Sequence, residues 1–202
     1  MAHRGKQYTE ALKAVEGDRP YSPVEAVKAA KEAAYAKFDE TVELHIRTNL
    51  DPRRSDHQLR GLASLPHGIG KNVRVLVFTQ GEAVSIAQEA GADIVGGEDL
   101  IKQVEGGFLD FDTAFSTQDM MSKVGRLGKV LGRRGLMPNP KSGTVVTPQD
   151  LPRAIQETKK GRVEFRLDRT SIIHVPVGKL SFDENKLAEN ITALVEAISR
   201  AR

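Results

Sequence analysis

The sequence predicts an α/β protein of two domains, one of them discontinuous, and three observations predict it. Residues 39–48 and 163–177 alternate apolar and polar side chains, as strands with one wet face in an antiparallel sheet do. Residues 73–115 instead carry apolar strands separated by helical stretches, the β-α-β-α-β rhythm of a parallel sheet with right-handed crossovers. The alternating segments lie toward the two ends of the 202-residue chain, with the parallel rhythm between them. The simplest architecture inserts the middle into a domain built from both ends: 1–67 plus 160–202 for the first domain and 68–159 for the insert. Two chain crossings side by side make a hinge, and Gly68, Gly70 and Gly161 are placed to absorb its φ/ψ change.

The elements follow in order. Residues 5–15 read as a short helix. Ser22, Pro23 and Glu25 open a stronger one, with Ser at the N-cap, Pro at N1 and Glu at N3 as a capping box. Ala26, Val27, Ala30, Ala34 and Phe38 continue its apolar stripe. In 39–48, Val42, Leu44 and Ile46 face one way while Thr41, Glu43, His45 and Arg47 face the other. Residues 73–78 are a strand covered on both faces. A helix over 81–90, a strand over 92–95, a helix over 98–104 and a strand over 112–115 complete the parallel rhythm. Thr147-Pro148-Gln149-Asp150 starts a helix with Pro148 at N1 that ends near Gly161. Then Val163, Phe165 and Leu167 oppose Glu164, Arg166 and Asp168, residues 168–171 turn, and 172–177 returns as the second strand of a hairpin. A helix over 183–200 carries Leu187, Ile191, Leu194 and Ile198 on one side.

Composition excludes several classes. Without cysteine there is no disulfide scaffold and no thiolate zinc site, a pattern that fits a reducing cytoplasm. With no tryptophan the cores must be aliphatic in the main. No run of about eighteen apolar residues exists to span a membrane. The first ten residues, MAHRGKQYTE, lack the apolar stretch of a secretory signal.

Charge is where function shows. Residues 120–149 contain no Asp or Glu and carry Lys123, Arg126, Lys129, Arg133, Arg134 and Lys141. The whole chain has a formal charge of +3, so the remainder is net negative. Concentrated positive charge is the footprint of a surface that meets a polyanion. Gly125, Gly128, Gly132, Gly135 and Gly143, with Pro138 and Pro140, punctuate the same stretch. Each glycine costs about 1 kcal/mol in a helix interior, so an ordered basic loop is expected over a solvated basic helix.

Other motifs are weaker. Gly68-Ile69-Gly70-Lys71 fails the Walker pattern, because Leu65 and Asn72 stand where Gly and Ser or Thr are needed. No G-x-G-x-x-G follows a strand, so no nucleotide cofactor is implied. The histidines at 3, 45, 57, 67 and 174 share no ligand spacing, and no metal is expected. Asp51, Asp56, Asp93 and Asp99 read as solvated or capping residues, and no catalytic constellation emerges. Phe38 either closes its helix stripe or stacks where Lys37, Thr41, His45 and Arg47 give the sheet a polar, partly basic face. Arg53, Arg54 and Arg60 form a second, milder basic cluster.

The segment KVGRLGKVLGRRGLMPNPKSGTVV resembles the signature of the bacterial ribosomal protein L-one family, the large-subunit stalk proteins. AKFDETVELHIRTNLDPRRSD, RGLASLPHGIGK, GADIVGGEDLI, RVEFRLDRTSIIHVPVGK and LAENI extend that resemblance across the chain. It implies a discontinuous split β-α-β domain with an inserted Rossmann-like domain, and a non-enzymatic constituent of the large ribosomal subunit in the cytoplasm. Ribosomal RNA contacts carry over to Lys37, Phe38, Thr41, Arg166, Asp168, Thr170 and His174. The basic stretch carries over to RNA of the stalk or exit-site transfer RNA, whose release the family assists. The protein's own messenger RNA is a further implied partner, through translational repression. No small-molecule substrate is implied. The rival readings are a free RNA-binding regulator and a small nucleotide-using α/β enzyme.

Two departures stand out. Members usually continue into a further strand with a Thr-Met-Gly loop, and this sequence stops at Arg202 before it. Either the sequence is truncated there or RNA affinity is reduced, with an exposed edge on the first sheet as the expectation. Ser171 stands where many relatives have Gly, and is strained if the turn needs φ > 0.

Overall fold

A computed structural model describes residues 5–13, 15–17 and 19–201; the first four residues of the segment read for a signal, His3 among them, and Arg202 lie outside the described residues. The elements in chain order are α1 Lys6–Lys13, α2 Pro23–Glu32, β1 Thr41–Arg47, β2 Arg60–Ser64, β3 Val75–Phe78, α3 Ala83–Glu89, β4 Ile94–Gly96 and α4 Glu98–Glu105. There follow β5 Thr113–Thr117, α5 Met121–Val124, α6 Gly128–Arg134, β6 Val145–Val146, α7 Leu151–Lys160, β7 Arg162–Arg166, β8 Ile172–Lys179 and α8 Glu184–Arg200. The chain divides into two compact units, one running to Gly70 and resuming at Val163, the other Lys71–Arg162.

In the first unit α2 begins as its sequence dictates. Ser22 Oγ accepts from the Glu25 N–H at 3.4 Å and Glu25 Oε2 accepts from the Ser22 N–H at 3.0 Å. The helix stops at Glu32, which leaves Phe38 off the stripe and 74% exposed. β1 pairs β8 antiparallel from Thr41 opposite Lys179 to Arg47 opposite Ile172, with a bulge between Val42 and Glu43. Gly178 faces that bulge at φ 156°, where a Cβ would lie 2.7 Å from Leu187 Cδ2. β2, which the apolar pattern did not reveal, pairs β7. Its Gly61 is required, because a Cβ there would come within 2.6 Å of Phe165 Cζ.

The expected β7–β8 hairpin is therefore corrected. Each strand takes its ladder partner from the N-terminal segment, and only the Leu167–Ile173 bridge joins the two. α8 packs on α2, β2 and β8. Leu65, Phe165, Ile173, Val175, Val177 and Leu194 fill the core between them, with Val42, Leu44 and Ile46 against it.

The second unit is a parallel sheet in the order β4-β3-β5-β6. Strand alternation splits its core in two. Leu76, Phe78 and Ala114 meet α4 and the segment ending in α6; Val75, Val77 and Phe115 meet α3 and α7. Only two residues make β6, too few to show in a periodic pattern. α7 starts three residues later than expected: Asp150 is its N-cap and Pro152 occupies the first turn, while Thr147 Oγ1 donates to Asp150 Oδ2 at 2.6 Å. It ends at Gly161 in the left-handed conformation, φ 112°.

The basic segment is the largest correction. Residues 118–134 are not a loop but a succession of short helical pieces, two of them 3₁₀. Val124, Leu127 and Leu131 are fully buried in the core with Leu76, Phe78 and Ala114. Burial of these three outweighs the intrinsic cost of Gly125, Gly128 and Gly132. A left-handed Gly135 then ends α6, and the run that follows to β6 contains one further 3₁₀ turn, Pro140–Ser142.

Candidate nucleic-acid interface

Alternation along β1 sends Val42, Leu44 and Ile46 to the core and leaves Thr41, Glu43, His45 and Arg47 exposed. Register places His45 opposite His174. Leu167 and Ile173 face the core, so Arg166, Asp168 and His174 share the outward side with His45. The two Nδ1 atoms of His45 and His174 are 2.5 Å apart and the rings meet edge to face at 4.7 Å between centroids. At that separation one imidazole donates and the other accepts. Glu43 lies 3.7 Å from His45 Nε2 and Asp168 3.4 Å from His174 Nε2, so each ring has its own carboxylate.

Asp168 also builds the turn. It accepts from Thr170 Oγ1 at 2.5 Å, from the Thr170 N–H at 2.8 Å and from the Ile172 N–H at 2.7 Å. The Thr170 hydroxyl, then the backbone donors and His174, hold its carboxyl down at about 2. Ser171 follows at φ 66°, the one non-glycine residue with positive φ among those described. Thr41 Oγ1 accepts from Lys179 Nζ at 2.8 Å, which adds a cation the sequence did not single out. Lys37 and Phe38 are exposed just before β1.

In the second unit the basic segment is less uniformly free than its sequence suggests. Lys123 is ion-paired with Glu98, whose charge Arg126 also feels. Lys129, Arg133, Arg134 and Lys141 have no ion pair among the described residues. No atom approaches within 4 Å of where a Cβ would stand on Gly125, Gly128 or Gly132, so nothing inside the protein requires glycine at these exposed or half-exposed positions. The milder cluster is largely neutralised: Arg54 pairs Asp56 at 2.7 Å and Arg60 pairs Glu164 at 2.7 Å, leaving Arg53.

A profile of the Ribosomal protein L1p/L10e family matches residues 30–202. The chain belongs to that family. It is 60% identical over its full length to the large ribosomal subunit protein uL1 of Dehalococcoides mccartyi strain 195, of which it covers 85%. It is 57% identical to the uL1 of Thermomicrobium roseum, covering 84%, and 55% identical to that of Chloroflexus aggregans, covering 86%.

In this L1-family chain the segment between the units' elements is closely held on the first-unit side. Asn190 of α8, fully buried, takes the His67 N–H at 3.1 Å and donates to the Gly68 and Val177 carbonyls at 2.9 and 2.8 Å. Gly68 and Gly70 sit at φ 66° and 69°, and a Cβ on Gly70 would lie 2.8 Å from both Lys179 Cγ and Phe182 Cε1. The L1 parallel sheet offers little to a nucleotide. Glu98 and Asp99 occupy the first turn of α4, where an anion would need donors and positive charge. Among the described residues no group of three or more His, Asp or Glu can hold a metal ion, and no helix is long and apolar enough to cross a membrane.

Proposed function

We propose that the chain is a non-catalytic constituent of the large ribosomal subunit, ribosome-bound in the cytoplasm, whose first unit anchors to large-subunit ribosomal RNA. Lys37, Phe38, Thr41, Arg166, Asp168, Thr170 and His174 carry the anchoring, and the cations of 120–149 meet stalk RNA or exit-site transfer RNA and assist its release. Binding of its own messenger RNA, with repression of its translation, uses the same first-unit surface. The observation that carries the reading is Phe38. A phenyl ring 74% exposed beside Lys37 gains nothing for the fold there and offers a stacking plane for an unpaired base. Family membership and the relatives' role as large-subunit proteins support the same assignment.

Phe38→Ala is the test. It should weaken binding to large-subunit ribosomal RNA by roughly 1–3 kcal/mol while leaving the melting temperature unchanged. A lower melting temperature with unchanged affinity per folded molecule would return Phe38 to a packing role. In a density gradient of cell extract, the protein should migrate with large subunits; a profile confined to light fractions overturns the ribosomal assignment in favour of a free regulator. The pivot expected at Gly68, Gly70 and Gly161 belongs to this proposal. Energy transfer between labels on the two units should change when exit-site transfer RNA is added to ribosomes, and one fixed efficiency would remove the pivot.

A further inference from the structure

A cleft of about 620 Å³ opens in the first unit between the chain leading into β2 and the end of β7. Pro52, Leu59 and Leu167 are its apolar lining residues, and Arg60, Arg166 and Arg169 line it as well. Its two sides are tied by the Leu167 N–H, which donates to the Leu59 carbonyl at 2.9 Å. Arg60 is committed to Glu164, whereas Arg166 and Arg169 have no ion pair or side-chain hydrogen bond among the described residues. The one carboxylate lining the cleft, Asp168, already accepts three short hydrogen bonds from its own turn.

We propose that this cleft seats a single unstacked nucleotide of the bound RNA, its base against Pro52 and Leu59 and its phosphate held by Arg166 and Arg169. The inference rests on the RNA-binding reading and adds to it a subsite with its own chemistry. An arginine fork matches phosphate oxygens bidentately, and its plane also stacks on a base. Sequence-specific RNA recognition draws on bases splayed out of helices. A free mononucleotide has the same chemistry. Two unpaired guanidiniums against one carboxylate leave a net charge of only about +1, too little to hold a small dianion by itself. Asp168 lines the cleft and also lies 3.4 Å from His174 Nε2, so an RNA lying against His174 delivers its nucleotide to the cleft. RNA is therefore the source.

The full-length protein is bound to large-subunit ribosomal RNA transcribed with 4-thiouridine or 6-thioguanosine, irradiated, digested and mapped by mass spectrometry. Single-nucleotide adducts should fall on residues 52–60 and 167–169. Arg169→Gln should lower affinity about tenfold and flatten the log–log salt slope by about 0.7–0.9. Arg169→Lys should restore the slope but only part of the affinity. Adducts confined to other segments, with Arg169→Gln binding like wild type, overturn the subsite while leaving RNA binding intact. If the wild type binds this RNA no better than random RNA, the RNA-binding reading itself fails. Saturable micromolar binding of AMP or UMP at the Leu59 and Leu167 amides, seen by NMR in the absence of RNA, would overturn RNA as the source.

Discussion

Asp168, half-buried, accepts hydrogen bonds from the Thr170 hydroxyl and from the Thr170 and Ile172 N–H groups, and so organises its own turn. Because its carboxyl is held down at about 2, its stabilisation of the turn is complete above its ordinary value of 3.8 and is lost as pH falls through about 2. NMR titration should find it ionised at pH 3, where exposed carboxyls are protonating. Asp168→Asn should abolish that difference, uncouple the turn and loosen His174. Ser171, next to it, is strained at φ 66°. Ser171→Gly should raise stability by up to about 1 kcal/mol in denaturant unfolding, the relief of strain offset in part by the greater freedom of glycine in the unfolded chain. The strain at Ser171 was conditional in the sequence, because a residue name does not fix φ. The role of Asp168 came from family resemblance, while its three acceptor contacts required coordinates. Nothing in the spacing of Lys179 and Arg169 marks them; cations at a strand end and a turn are ordinary surface residues until their neighbours are known.

At the scale of elements the basic segment shows why local propensity misled. Glycine at 125, 128 and 132 argued for a loop, yet Val124, Leu127 and Leu131 at helical spacing decide the conformation by burial. The same glycines then become a measurable reserve. Gly132 lies inside α6 with open space around its missing Cβ, so Gly132→Ala should stabilise the protein by about 0.5–1 kcal/mol, read as a raised melting temperature. Replacing Arg126, Lys129, Arg133 and Arg134 by Gln should leave the fold intact and reduce the salt dependence of transfer-RNA or stalk contact by about 0.7–0.9 per lost phosphate contact. A slope equal to wild type would remove the phosphate role. Capping was easier to read: Ser22, Pro23 and Glu25 act within four residues, and α2 begins where they place it. Pro148 misled because Pro152 serves the same helix, and both sequences satisfy the rule for a helix start.

For the molecule as a whole, the change from alternating to continuous apolar strands was readable, since each sheet type leaves its own local pattern. Strand partners were not, because β1–β8 and β2–β7 join segments far apart in the chain and local pattern favours the nearer β7–β8 pairing. Asn190 is one of the groups that secure this long-range closure. Asn190→Ala should leave the His67 N–H and the Gly68 and Val177 carbonyls without their side-chain partner, the Val177 carbonyl at a buried position, and cost about 1–3 kcal/mol of stability, measured by urea unfolding. That closure also sets a timetable for the chain on the ribosome that makes it. The contiguous unit Lys71–Arg162, with cores on both sides of its sheet, has all its parts once Arg162 has emerged. Thr41 must wait for Lys179, at synthesis rates of about 5–20 residues per second a delay of roughly 7–28 s during which β1 has no partner. Nascent chains arrested before β8 emerges should accordingly be cut by protease within the first 70 residues and protected in the insert, so the part of the protein that completes last is the part proposed to hold the ribosome's own RNA.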